Sequence, residues 1–196
     1  MAESVLVAVA HPDDEVLGVG GTILRHVKAG DVVTVHMECV VGLRDGQARI
    51  EAARRLADTN GYRLSLGESC ERDGRSANFD RLTADVIYTH HVGDLNQDHR
   101  AVAVAALVAG RFARSIRTFE TVSSTEWGVA PFTPNLYGAI DWPAKILMLR
   151  EYEGEMRDPP HPRSWPVLDA LSRFRGSAVG VEYAEAFMVL RELTRG

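Results

Sequence analysis

Residues 5–10 read VLVAVA, and the five that follow read HPDDE. Six consecutive apolar residues, half of them valine, suit a strand covered on both faces of a parallel sheet. The chain then places an imidazole and three carboxylates in five positions. Like charges at that density are costly unless a cation, backbone amides or water accept them. The segment is therefore either the end of a buried strand built to bind something or a solvated turn.

The same pattern recurs. Val16, Val19, Ile23, Leu24 and Val27 fall at helical spacing from Glu15 to about Lys28, with Gly30 placed as a cap. Val32 to Val41 reads as a second strand, Ala48 to Ala57 as a helix ended by Asn60 and Gly61, and YRLSL as a third strand. Asp85 begins DVIYTHH, a strand that again stops at a polar cluster, and His99 to Arg111 reads as a helix apolar nearly all round, expected to be covered on both sides. Gly67 to Arg81 is expected to be an exposed loop. After Ser115 the reading is a strand near Arg117 to Ser123, a turn at APFTPN, a helix from about Pro143 to Met156, the Pro-rich RDPPHPRSWP, a helix to Phe174 and the segment AEAFMVLREL. The alternation predicts an open, mostly parallel, three-layer α/β/α sheet whose ligand crevice lies at the carboxyl ends of the strands, where both polar clusters fall. One domain over 1–196 is expected, with the metal motifs in a core at 1–114 and a part at 115–196 shaping the pocket.

A formal charge of −5 argues against a nucleic-acid partner. The longest apolar run, AVAVAALVAG at 101–110, is about half of what a bilayer requires, so no membrane partner is expected either. Without a basic region before its first apolar stretch, the chain reads as cytoplasmic. A core of this size needs no cross-link, and Cys39 and Cys70 are expected to be reduced thiols, one packed in a strand. The apolar C-terminal segment is open to two roles, core or interface in a homo-oligomer.

His11 and Asp14 lie three apart at a strand-to-helix junction. With His99 from the second junction they would offer two imidazoles and one carboxylate to a divalent metal, leaving positions open for water and substrate. Asp13 is then a spare carboxylate able to take a proton. The competing reading makes Asp13, Asp14 and Glu15 helix caps. The second cluster holds His90, His91, Asp94, Asn96, Asp98 and His99; GDLN would also suit a turn, and His90 and His91 are read as packing residues. Gly18, Gly20 and Gly21 do not fit a dinucleotide loop, because the turn after the strand is HPDD; they are expected to let the helix pack closely. His161 lies in a Pro-rich loop, over a pocket or on the surface. Arg44, after the second strand, faces the ligand edge and could meet a phosphate or a sugar hydroxyl, or only solvent. Trp142 and Trp165 read as packing; Trp127 could equally stack on a ligand ring. The same ligand set also serves non-haem iron oxygenases, whose usual setting is a β-barrel.

AHPDDEVLGVGGT and THHVGDLNQDHRAV together resemble the PIG-L and LmbE-like metal-dependent N-acetylglucosaminyl deacetylases, and FTPNLYGAI, HPRS and VGVEYAEAF continue the likeness through most of the chain. The resemblance implies a Rossmann-like sheet, zinc or another divalent metal such as Fe2+ on His11, Asp14 and His99, and Asp13 as general base. It further implies hydrolysis of an N-acetyl group from a small amino-sugar substrate. Some members carry a histidine three positions before the last ligand as general acid. This chain has Asn96 there, beside the substrate, so the acid is expected to be Asp13 itself, or His161 with Asp98 orienting an imidazole. Two further readings are a metal-containing carbohydrate-binding protein without turnover and an amidase acting outside sugar chemistry.

Overall fold

The computed structural model describes residues 2–67 and 84–194. Among the described residues, seven strands form one sheet in the order β3-β2-β1-β4-β5-β7-β6. They are β1 (Ser4–Val9), β2 (Val32–Met37), β3 (Arg63–Leu66), β4 (Val86–His90), β5 (Ser115–Phe119), β6 (Leu136–Ala139) and β7 (Ala184–Glu192). The first five are parallel; β7 runs antiparallel between β5 and β6. The helices are α1 (Asp14–Ala29), α2 (Gly46–Asn60), α3 (Gln97–Ala109), α4 (Trp142–Arg150) and α5 (Trp165–Ser177). The expected Rossmann-like α/β sheet is what the chain forms.

Alternation along β1 divides the core. Val5, Val7 and Val9 pack with residues of α1, α2, α4 and α5, while Leu6, Ala8 and Ala10 pack with Val102 and Ala106 of α3. Because α3 meets the sheet on one side only, Val104 and Val108 stand exposed, and the expectation of a helix covered on both sides does not hold.

Helix α1 breaks at Val19 (φ −139°, ψ 16°) and restarts through the glycines. A Cβ on Gly18 would lie 2.2 Å from the Phe119 ring, and one on Gly21 would lie 2.5 Å from Ile140, so these glycines do permit close packing. The amides of Gly21 and Thr22, freed by the break, donate to Glu185 Oε1 and Oε2 at 2.9 and 2.8 Å. Lys145 Nζ donates to the same carboxylate at 2.7 Å and to the Leu17 carbonyl at 2.9 Å, a buried charge with its partners in place.

Several boundaries move. β2 stops at Met37, and Cys39 is buried in the loop beyond it rather than in a strand. Cys39 is disulfide-bonded, not a reduced thiol. A core large enough to need no cross-link can still carry one. Cys70 and the expected loop beyond Gly67 lie outside the described residues. α4 ends at Arg150, short of Met156, and the strand expected to reach Ser123 ends at Phe119. No helix among the described residues is long and apolar enough to cross a membrane.

Candidate metal centre

Between β1 and β4 the strand order changes direction, β2 and β3 lying to one side and β5 to the other. Such a switch opens a crevice at the carboxyl ends, where α/β sheets bind ligands. The 10–13 turn leaves β1 there and the 91–96 turn leaves β4 there, the two strands being in register through Ala8 and Thr89.

His11, Asp14 and His99 bring one donor atom each within 4.8 Å of one another. Asp14 Oδ2 lies 3.3 Å from His11 Nδ1 and 3.3 Å from His99 Nε2, and accepts the His11 amide at 2.9 Å. The tautomer of His99 follows from its other side. Its Nδ1 is 3.0 Å from Asp94 Oδ2, an oxygen that also accepts from Ser124 Oγ at 3.0 Å and Thr125 Oγ1 at 3.1 Å. A carboxylate only accepts, so Nδ1 carries the proton and the Nε2 lone pair is left facing Asp14. His99 Nε2 and Asp14 Oδ1 are both buried without a hydrogen-bond partner among the described residues. A divalent cation fits that donor set. Without one, a proton substitutes: burial works against charging His99, but Asp14 and Asp94 push its pKa up to about 10. Burial likewise opposes ionised Asp14, yet His99 and His11 hold it well below the usual carboxylate range.

Asp13 is 2% exposed and sits at φ 114°, ψ −32°, a region side chains rarely occupy. It makes no side-chain cap to α1, so capping does not account for it. Its Oδ2 accepts from Arg163 Nη1 at 2.9 Å and pairs with Arg49 Nη2 at 3.2 Å, while Oδ1 is buried and unpartnered. Burial and the neighbouring Asp14 charge push its pKa up to about 7 against the pull of the two arginines. Glu15 is fully buried; Oε2 accepts the Asp13 amide at 3.0 Å and Oε1 accepts Tyr152 Oη–H at 2.7 Å. Burial outweighs those bonds and raises it to about 8.

Of the other anticipated residues, Asp98 joins the site and the rest are dispersed. Asp98 Oδ2 lies 3.1 Å from His11 Nε2, so the imidazole it orients is that of His11. His161 is exposed and its Nδ1 accepts the Arg163 amide at 3.0 Å; among the described residues it bonds to none of the donors. Asn96 caps α3 by accepting the Asp98 amide at 2.9 Å. Arg44 is exposed beside Asp45 at 3.4 Å. His90 and His91 are both buried, and His90 Nε2 also lies 3.5 Å from Asp14 Oδ2, so that His90, Asp94 and His99 make a second donor group beside the first. His90 Nε2 accepts the Ala10 amide at 3.0 Å while its ring stacks on His99 at 3.9 Å, and His91 Nε2 donates to the Ala130 carbonyl at 3.1 Å. Trp142 packs on Tyr183, and Trp127 is 74% exposed. Sequence reasoning missed Arg49, Arg163 and Tyr152, and placed Asp94 in the second cluster without a role of its own, the turn reading standing beside it; the single signal for Arg163 was its place in HPRS.

No family model and no curated protein matches the sequence. Solved structures do. The N,N'-diacetylchitobiose deacetylase of Pyrococcus horikoshii superposes with a TM-score of 0.78 at 20% identity, over 96% of this chain and 84% of that one. GalB, the 4-carboxy-2-hydroxymuconate hydratase of Pseudomonas putida KT2440, gives 0.79 at 19% identity over 100% and 99%. The zinc-inhibited form of the teicoplanin deacetylase Orf2 gives 0.72 at 15% identity over 95% and 97%. Likeness at these identities establishes a shared fold.

Proposed function

We propose that this chain, which has the fold of the PIG-L and LmbE-like deacetylases, is a divalent-metal-dependent hydrolase that removes an N-acetyl group from an amino sugar or a small sugar-containing metabolite. One observation carries the reading: Asp13 Oδ1, Asp14 Oδ1 and His99 Nε2 are buried and, among the described residues, unpartnered in the crevice where the sheet changes direction. His11, Asp14 and His99 would hold the ion, zinc or iron(II). When bound, such an ion supplies Lewis acidity, polarising an amide carbonyl and lowering the pKa of water.

The rest of the chemistry belongs to the chain. Arg163 and Arg49 occupy Asp13 Oδ2, so Oδ1 is the oxygen left to accept the proton of the attacking water. Asp13 then passes that proton to the amine nitrogen as the C–N bond breaks, giving acetate and a free amine. Asn96 cannot serve as the acid, and His161, exposed on the turn that carries Arg163, ranks second. Arg44 and Asn96 are the proposed contacts to the sugar. Asp94 and Asp98 fix the two imidazoles from behind.

The test is release of acetate and amine from N-acetylated sugars, nucleotide sugars and non-sugar amides, using protein of known metal content. Release should stop on chelation and return with zinc. Asp13→Ala should keep its metal and lose roughly 10²- to 10⁴-fold in kcat. A fully active Asp13→Ala protein would reject the role. Metal-replete protein that binds sugars without releasing acetate is a binding protein. Turnover of an unsaturated acid alone would place the chain with the hydratase that shares its fold.

A further inference from the structure

We infer that Glu15 and Tyr152 form a positioning dyad that holds Asp13 in its positive-φ backbone conformation; the kinetic part of this inference rests on the deacetylase reading. A residue at φ 114° stays there only if its surroundings over-determine it. The Asp13 carboxylate is fixed by Arg163 and Arg49. Its backbone is fixed separately, because the Asp13 amide donates to Glu15 Oε2 at 3.0 Å. That bond runs backward, from the first turn of α1 to the residue before it, which a carboxylate placed only to favour the helix dipole would not require.

Glu15 is itself held from a distant segment. Tyr152, 3% exposed just beyond the end of α4, donates its hydroxyl to Glu15 Oε1 at 2.7 Å. Each carboxylate oxygen thus has one duty, one toward Tyr152 and one toward Asp13. Without the Tyr152 hydroxyl, Glu15 Oε1 is left buried and unpaired, a state that drives the side chain to rearrange. Asp13 then loses the partner of its amide and relaxes toward negative φ. Misplacing a reacting group by about 1 Å costs on the order of 10²-fold in rate.

The experiment uses the full chain with metal quantified, in wild type, Tyr152→Phe, Glu15→Gln and Glu15→Met. Crystal structures read the Asp13 φ, and steady-state kinetics separate kcat from KM. Tyr152→Phe should return Asp13 to negative φ and lower kcat at least tenfold, with KM and metal content unchanged. Glu15→Gln should restore kcat to within about threefold of wild type, since its amide oxygen still accepts the Asp13 amide while its NH2 donates to Tyr152. Glu15→Met removes the acceptor and should match Tyr152→Phe, and it replaces that variant if Tyr152→Phe does not fold. Retention of positive φ in Tyr152→Phe or Glu15→Met overturns the dyad. So does an unchanged kcat in either folded variant, whose only defect would then be stability. If wild type hydrolyses no amide, the deacetylase reading fails by itself and the Asp13 φ still decides the dyad.

Discussion

His99 has two ring nitrogens, and its neighbours give each a separate task. Asp94, braced by Ser124 and Thr125, takes the Nδ1 proton, and Nε2 is left bare toward Asp14. Asp94→Ala should therefore lower divalent-metal affinity by about 10- to 100-fold, read by competition with a chromogenic chelator, while His99 stays in place. Unchanged affinity would mean that the orientation of His99 is set by its stack on His90 alone. At this scale the sequence was informative where chemistry sits next to a strand end: His11, Asp14 and His99 converge as their positions predicted. It was silent on Arg49, Arg163 and Tyr152, because partners separated by 36 to 150 positions leave no local period to read. Asp94 was hidden by its company, since Gly-Asp before a helix is ordinary turn chemistry.

Helix α1 joins the site to the sheet, and its glycines set how closely. With a Cβ on Gly18 only 2.2 Å from Phe119, Gly18→Ala should destabilise the fold by about 1–3 kcal/mol in urea denaturation. Phe119→Leu in the same chain should recover part of that loss, whereas no recovery would place the strain elsewhere. The β5–β7 seam makes a pH prediction. Burial raises the Glu192 carboxyl, but Ser115, Arg117 and Arg114 overcome that and hold it below its ordinary 4.5. A depressed carboxylate contributes stability above its unfolded pKa, and that contribution is lost as pH falls through the folded value. Wild type should accordingly lose stability below about pH 4.5 more steeply than Glu192→Gln, measured by thermal melts across the acid range. The strong periods of β1, α1, α2 and β4 were legible, whereas β6 was not: LYGA is four residues long and contains a glycine. β7 was visible as an apolar segment without an assigned type, because its burial fades toward its exposed end.

Across the whole molecule, an ion bound at the crevice would couple to folding, since its donors converge only in the native state. Zinc at about 100 times its Kd should stabilise wild type by about 2.7 kcal/mol, and the gain should vanish in Asp14→Ala. Differential scanning calorimetry reads both, and equal stabilisation of the two proteins would move the ion elsewhere. The parallel half of the sheet was predictable from alternation; the antiparallel end was not, because its partners are brought together by tertiary pairing rather than by sequence neighbourhood. The separation between Asp13 and its anchors also has a temporal side. A chain grown from its N-terminus presents His11, Asp14 and His99 before Tyr152 and Arg163. The donor set and the anchors of Asp13 therefore come together only after residues 11 through 163 have all been made.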